Sequence, residues 1–181
     1  MSTVQKNIHK VFAAPHLCPY WIPPALGMLK MNCAVSFDRQ HDRTGIGVLV
    51  RDADGEVIGC CSQRLDFNMS VKAANLLAVQ KGIRFGVDFG FLLCAIELDN
   101  VDVIDWINKG SHLDSEFGAV ILELNKLTEG PQGLMFRFIP KSANMAALGL
   151  SSIAFDIYDD TFWLDEFPIC IDRVIDSEKP S

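Results

Sequence analysis

Glu97 and Asp99 stand at the end of the apolar run that begins at Phe91, and an acidic pair closing a buried strand is the part of this chain best suited to chemistry. Residues two apart in an extended segment share a face but lie about 7 Å from each other, so these carboxylates offer a hard cation such as magnesium one weak site at most. The competing reading is structural. A carboxylate or amide at a strand-to-helix junction accepts backbone N–H groups, so Asp99 or Asn100 caps the helix expected from Val101. The other reactive side chains carry weaker patterns. His112 follows Gly110-Ser111 in a loop with no ligand partner close in sequence, and reads as a surface imidazole. Cys60 and Cys61 alternate faces in a strand, so at least one fills a core position rather than acting as a reactive thiol. Ser36 and the scattered histidines make no nucleophile signature. Asp156, Asp159, Asp160, Asp165 and Glu166 read as a solvated face, although Phe155, Phe162, Trp163 and Phe167 interleave with them and offer a partner contact.

The elements that must position these residues follow from hydrophobic period and turn chemistry. Pro15, Pro19, Pro23 and Pro24 keep residues 1–28 irregular, and Trp21 gives this arm one large apolar anchor. Strands are expected at Leu29 to Phe37, Gly45 to Val50 and Glu56 to Leu65, with Asp54-Gly55 supplying the positive φ of a tight turn. From Ser70 to Val87 the apolar residues recur at helical spacing, with Ser70 as N-cap and Gly90 past the end. Phe91 to Leu98 is a strand buried on both faces, Val101 to Asn108 a short helix ended by Gly110, and Glu116 to Leu127 an amphipathic helix. Leu134 to Ile139 is a further strand, and Ala143 to Phe155 a helix rich in small residues. The expected order is three strands, helix, strand, two helices, strand, helix.

Composition narrows the function classes. The chain has 181 residues, 49% of them hydrophobic, enough for one compact domain with tails. Its formal charge of -7, with a pI near 5.0, runs against a duplex-binding module, whose affinity rests on phosphate neutralisation by basic groups. Six scattered cysteines without a Cys-x-x-Cys pair, and no secretory apolar region at the N-terminus, imply neither a disulfide framework nor a zinc site. Reduced thiols in cytosol or nucleus are expected, and every apolar run is broken before it reaches the roughly 18 residues of a membrane span.

Several motifs in order then resemble one family. Trp21-Ile22-Pro23-Pro24 and Gly27-Met28-Leu29-Lys30-Met31-Asn32 match an opening of Trp-x-Pro-Pro and Gly-x-Leu-Lys-x-Asn. Gly45-Ile46-Gly47-Val48 and Arg51-Asp52-Ala53-Asp54-Gly55 match its second strand and hairpin. Glu97-Leu98-Asp99 matches Glu-Ser-Asp, Ile139-Pro140-Lys141-Ser142-Ala143-Asn144 matches Val-Pro-Arg-Glu-Ala-Asn, and Trp163 to Asp176 follows the usual C-terminal segment. The chain resembles, over residues 21–176, the ribonuclease H-like domains abundant in plant genomes and related to non-LTR retroelement reverse transcriptases. That resemblance implies an α/β fold with a five-stranded mixed sheet, three antiparallel strands first and then two parallel additions, flanked by helices. The domain is expected over 29–157, with a C-terminal segment over 158–181 packing on it and ending in flexible residues.

The resemblance also implies a chemistry, two-metal hydrolysis of RNA in an RNA–DNA hybrid, in which carboxylates hold two divalent cations on the scissile phosphate. The family's four acids fall here at Ala34, Asn75, Asp99 and Leu148. A methyl group cannot ligate a cation, an amide keeps one oxygen without charge, and an isobutyl group offers nothing. The frequent histidine before its Val-Pro is Phe138. About four negative charges become about one, so catalysis by this mechanism is not expected, and Asp99 with Glu97 makes at most a single weak magnesium site. The expectation is a catalytically degenerate ribonuclease H-like protein, a domesticated retroelement fragment, that acts by protein association and needs no cofactor. Two alternatives stay open. A nucleic-acid module for RNA–DNA hybrid or RNA would use Arg39, Arg43, Arg64 and Lys72, with Lys81 and Arg84 nearby, and a residual ribonuclease H would need magnesium.

Overall fold

The computed structural model describes residues 18–130 and 133–179. Most of the N-terminal arm, residues 1–17 with Pro15, therefore lies outside the described residues, as do 180 and 181. A meander of β1 (Leu29–Asp38), β2 (Arg43–Arg51) and β3 (Val57–Leu65) is followed by α1 (Val71–Asp88), β4 (Leu93–Leu98), α2 (Val101–Lys109) and α3 (Gly118–Thr128). Then come β5 (Met135–Phe138), α4 (Met145–Ile153), β6 (Thr161–Leu164) and α5 (Asp172–Glu178). The expected elements are present in their expected order, and the fold is the mixed α/β one that the resemblance implies.

Local chemistry accounts for most boundaries. The Ser70 hydroxyl accepts the Ala73 N–H and starts α1, Asn100 does the same for the Val103 N–H at α2, and Gly110 ends α2 in the left-handed region at φ 57. Between β2 and β3, the Asp52 carboxylate accepts the N–H groups of Asp54 and Glu56, and Gly55 takes φ 79.

The sheet runs in the order β5-β4-β1-β2-β3-β6, so among the described residues it has six strands rather than the expected five. The two pairings within the meander are antiparallel and those of β4 with β1 and β5 are parallel. The sixth strand comes from the acidic, aromatic tail: Thr161–Leu164 pairs antiparallel with Ser62–Gly59 and covers the edge that β3 would otherwise leave open.

Alternation sorts the sheet's side chains into two layers. Met31, Cys33, Ile46, Val48, Val50 and Cys61 face α1–α3 in the larger core, while Leu49, Val57 and Cys60 meet Ala146 and Leu150 of α4 and Ile175 of α5 in the smaller one. The small residues of α4 have a partner cause on β2. A Cβ on Gly45 would fall 2.0 Å from the Ser151 carbonyl oxygen, and one on Gly47 would fall 2.2 Å from that of Ala147. Helix backbone thus rests directly on strand backbone. Gly47→Ala is expected to reach the upper end of the roughly 1–3 kcal/mol typical of overpacking, because the obstructing atoms are main chain and cannot rotate away. A denaturant midpoint equal to that of the native chain would contradict this seating of α4.

Candidate functional site

The site lies where β4 ends beside the middle of β1, its parallel neighbour: Cys33 is in register with Leu98, so Ala34 and Asp99 follow at neighbouring positions. Asn144, at the start of α4, joins them. Its side-chain amide nitrogen donates to the Cys33 carbonyl oxygen at 2.9 Å and to Asp99 Oδ1 at 3.2 Å, and its main-chain carbonyl accepts the Leu148 N–H as the first helical bond of α4. One buried asparagine therefore ties the Asp99 carboxylate to the β1 backbone next to Ala34, one helical turn before Leu148. Ala34 is fully buried, while Asp99 and Leu148 are half-buried.

Asn75, the fourth, is buried in α1 with its amide nitrogen turned back on the Val71 carbonyl oxygen at 2.8 Å. Its first turn is tied to the helix that follows Asp99. Lys72 Nζ lies 3.1 Å from Asp102 of α2 and 4.4 Å from the centre of the Trp106 ring, which brings the α1 N-terminus to the same end of the sheet. Asn75 Oδ1 and Asn144 Oδ1 are both buried and without a hydrogen-bond partner.

Of the two readings of the junction, the cap belongs to Asn100, and Asp99 instead turns its carboxylate to Asn144. Glu97 sits elsewhere in function though only two residues away. Its Oε1 is 2.9 Å from Lys30 Nζ and its Oε2 accepts from Asn32 Nδ2 at 3.0 Å, both partners on β1 and all three side chains buried. This pair belongs to a larger buried network. Arg51 donates to Glu178 of α5 at 2.7 Å, reaches Asn32 Oδ1 at 3.4 Å, and stacks 3.6 Å from the Trp21 ring centre. Burial pushes the Glu178 carboxyl up against the opposing pull of Arg51. Sequence reasoning missed this network. Its one visible signal was the polar parity of Lys30 and Asn32 in a strand otherwise buried.

The chemistry of the four side chains sets what the site can hold. Two divalent cations need several charged oxygens, and here Asp99 alone carries charge, with one oxygen already occupied by Asn144. Such a donor set does not fit a two-cation centre. The remaining candidates are also engaged. Cys60 and Cys61 are both buried, one on each face, and burial pushes the Cys61 thiol up to about 12. Ser36 Oγ is 2.6 Å from Ser151 Oγ and 3.2 Å from Ser152 Oγ, a hydroxyl cluster without histidine. His112 is exposed, with its ring centre 4.5 Å from that of Trp106.

Three of the four basic residues considered for nucleic acid have internal partners. Arg43 binds Asp38 and the Phe155 carbonyl, and that hydrogen-bonded guanidinium, aided by His41, holds the Asp38 carboxyl down at about 2. Arg64 donates to the Ile157 carbonyl at 2.7 Å and pairs with Asp66 at 2.9 Å, and Lys72 is held by Asp102. Arg39 lies over the Phe37 ring, with its guanidinium carbon 4.7 Å from the ring centre, and is exposed.

Residues 32–154 match the model of a family described as reverse transcriptase-like. No curated protein sequence matches the chain significantly. Among solved structures the chain is similar to the N-terminal RNase H domain of a Mycobacterium tuberculosis protein, at 16% identity and a TM-score of 0.60 over 71% of this chain and 94% of that one. It is similarly related to RNase H1 from the halophilic archaeon Halobacterium salinarum, at 18% identity and a TM-score of 0.60 over 72% and 98% of the two chains. LC11-RNase H1, solved in complex with an RNA/DNA hybrid, gives 16% identity and a TM-score of 0.60 over 71% and 96%. At these identities the likeness is one of fold. Among the described residues, no helix is long and apolar enough to cross a membrane.

Proposed function

This chain belongs to the reverse transcriptase-like family, and on that premise we propose that it is a ribonuclease H-like protein without nuclease activity that works by associating with other proteins. The observation that carries the first half is the Asn144 junction. At the place where hybrid cleavage would need a cluster of carboxylates, a buried amide binds the single acid and the β1 backbone beside Ala34. Removing three acids also removes their mutual repulsion, so the site has become a packing junction between β1, β4 and α4.

Nucleic acid as the principal partner is the weaker reading. A basic face on which phosphates release counterions is what drives such binding, and Arg43, Arg64 and Lys72 spend their charge on Asp38, Asp66 and Asp102. RNA/DNA hybrid is bound by LC11-RNase H1, which makes hybrid the right ligand for the control. The test has two arms. Purified protein is incubated with a labelled hybrid and magnesium or manganese, and the tagged chain is recovered from native extract with and without nuclease. The expected result is an uncut hybrid and a set of proteins whose recovery survives nuclease. Metal-dependent cleavage abolished by Asp99→Asn overturns the non-catalytic reading, and recovery that disappears with nuclease, together with salt-sensitive hybrid binding, overturns the association reading.

A further inference from the structure

Among the described residues, the outer edge of β6 combines three properties. Among the described residues it pairs only with β3, so its second row of backbone groups faces no neighbour. Phe162 and Leu164, on one face by alternation, are 46% and 45% exposed, and Phe162 lies 5.9 Å from Phe85 and 6.3 Å from the exposed Phe89, giving an apolar shelf beside the edge. Both flanks are acidic. Asp156, Asp159 and Asp160 precede the strand and Asp165 and Glu166 follow it, all exposed, and none of them has a basic partner among the described residues. Asp160 accepts only from Gln63.

We infer that this edge is a docking strand for an extended, basic segment of a partner protein, which adds to the sheet as a further strand. Backbone hydrogen bonds to β6 supply the pairing, apolar side chains at alternate positions rest on Phe162 and Leu164, and lysine or arginine at its ends meets the two acidic flanks. Charge selects this occupant over a second copy of the chain. Antiparallel pairing of two β6 strands would set Asp159 and Asp160 opposite the partner copy's Asp165 and Glu166, and like charges facing each other across a sheet repel. The inference rests on the association reading above and gives it a surface and a partner chemistry.

The probe is a fluorescein-labelled octapeptide of alternating lysine and valine, titrated with the full chain and followed by anisotropy. Controls are the same peptide with glutamate for lysine and one with a central proline, which removes a backbone donor and breaks the extended pairing. The expected result is saturable binding of the Lys/Val peptide that weakens as salt rises, with the glutamate and proline peptides at least about tenfold weaker. Asp159→Lys combined with Glu166→Lys, both exposed positions, is expected to cost the peptide at least about tenfold in affinity while leaving thermal unfolding of the chain unchanged. Equal binding of all three peptides, binding indifferent to D159K/E166K, or a dimer in sedimentation that Leu164→Lys dissolves would each overturn the inference. Nuclease-resistant partners that D159K/E166K still recovers would overturn this docking surface and leave the association reading standing.

Discussion

Glu97→Gln is expected to destabilise the fold by about 3–5 kcal/mol, the range for removing one partner of a buried ion pair. The carboxylate balances Lys30, whose side chain is 4% exposed, and it also accepts from Asn32, whose own oxygen reaches Arg51. A glutamine retains one acceptor but leaves the buried ammonium without a counter-charge. The paired replacement Lys30→Met with Glu97→Met should lose much less than Glu97→Gln alone, because a charge and its counter-charge leave together and apolar volume takes their place. Denaturant unfolding of the two variants separates the readings. If the single and double changes cost the same, Glu97 contributes packing rather than charge balance. Should magnesium shift the native midpoint and fail to shift that of Glu97→Gln, the carboxylate holds a cation after all.

That network also marks the boundary of what the sequence could reveal. The meander, the long helix and the apolar β4 were legible because each is specified within its own residues, by alternation, by Ser70 as a cap and by Asp54-Gly55 as a turn. The Glu97–Lys30 pair spans 67 positions and depends on the parallel register that sets Asn32 beside Glu97, which no local pattern encodes. The same holds for β6. Four residues are too few for alternation to declare a strand, and Thr161–Leu164 becomes one because β3 presents a free edge to it. At the candidate site the letters at Ala34, Asn75, Asp99 and Leu148 were readable, but the partner of Asp99 was not. Asn144 is one amide in a motif until the fold sets it against Cys33 and Asp99. Likewise Arg43 and Arg64 look available in sequence, and only the placement of α4 shows their guanidinium groups bound to the Phe155 and Ile157 carbonyls beyond its end.

Restoring the acids is the sharper test of the site, and Ala34→Asp, Asn75→Glu and Leu148→Asp together are expected to turn a cation-indifferent fold into a cation-dependent one. Without divalent ions the triple variant should melt below the native chain, since a carboxylate at the fully buried Ala34 position lies close to Asp99 and the two cannot share a site as anions without cost. Magnesium or manganese should reverse the loss. A cation present at a hundred times its dissociation constant adds about 2.7 kcal/mol, which for a chain of this size is a rise of roughly 5–10 °C in the melting temperature. The native chain, with Asp99 as its one charged donor among the four, should show no such rise. Melting curves with magnesium, manganese or chelator give the answer before any hybrid is cut, so the convergence of the four positions is tested independently of catalysis. A triple variant that melts identically with and without divalent ions would mean that Asn75 and Leu148 do not aim at the junction held by Asn144. A native chain that gains as much from magnesium as the variant would instead return Asp99 to the role of a cation ligand, and with it the case for retained hydrolysis.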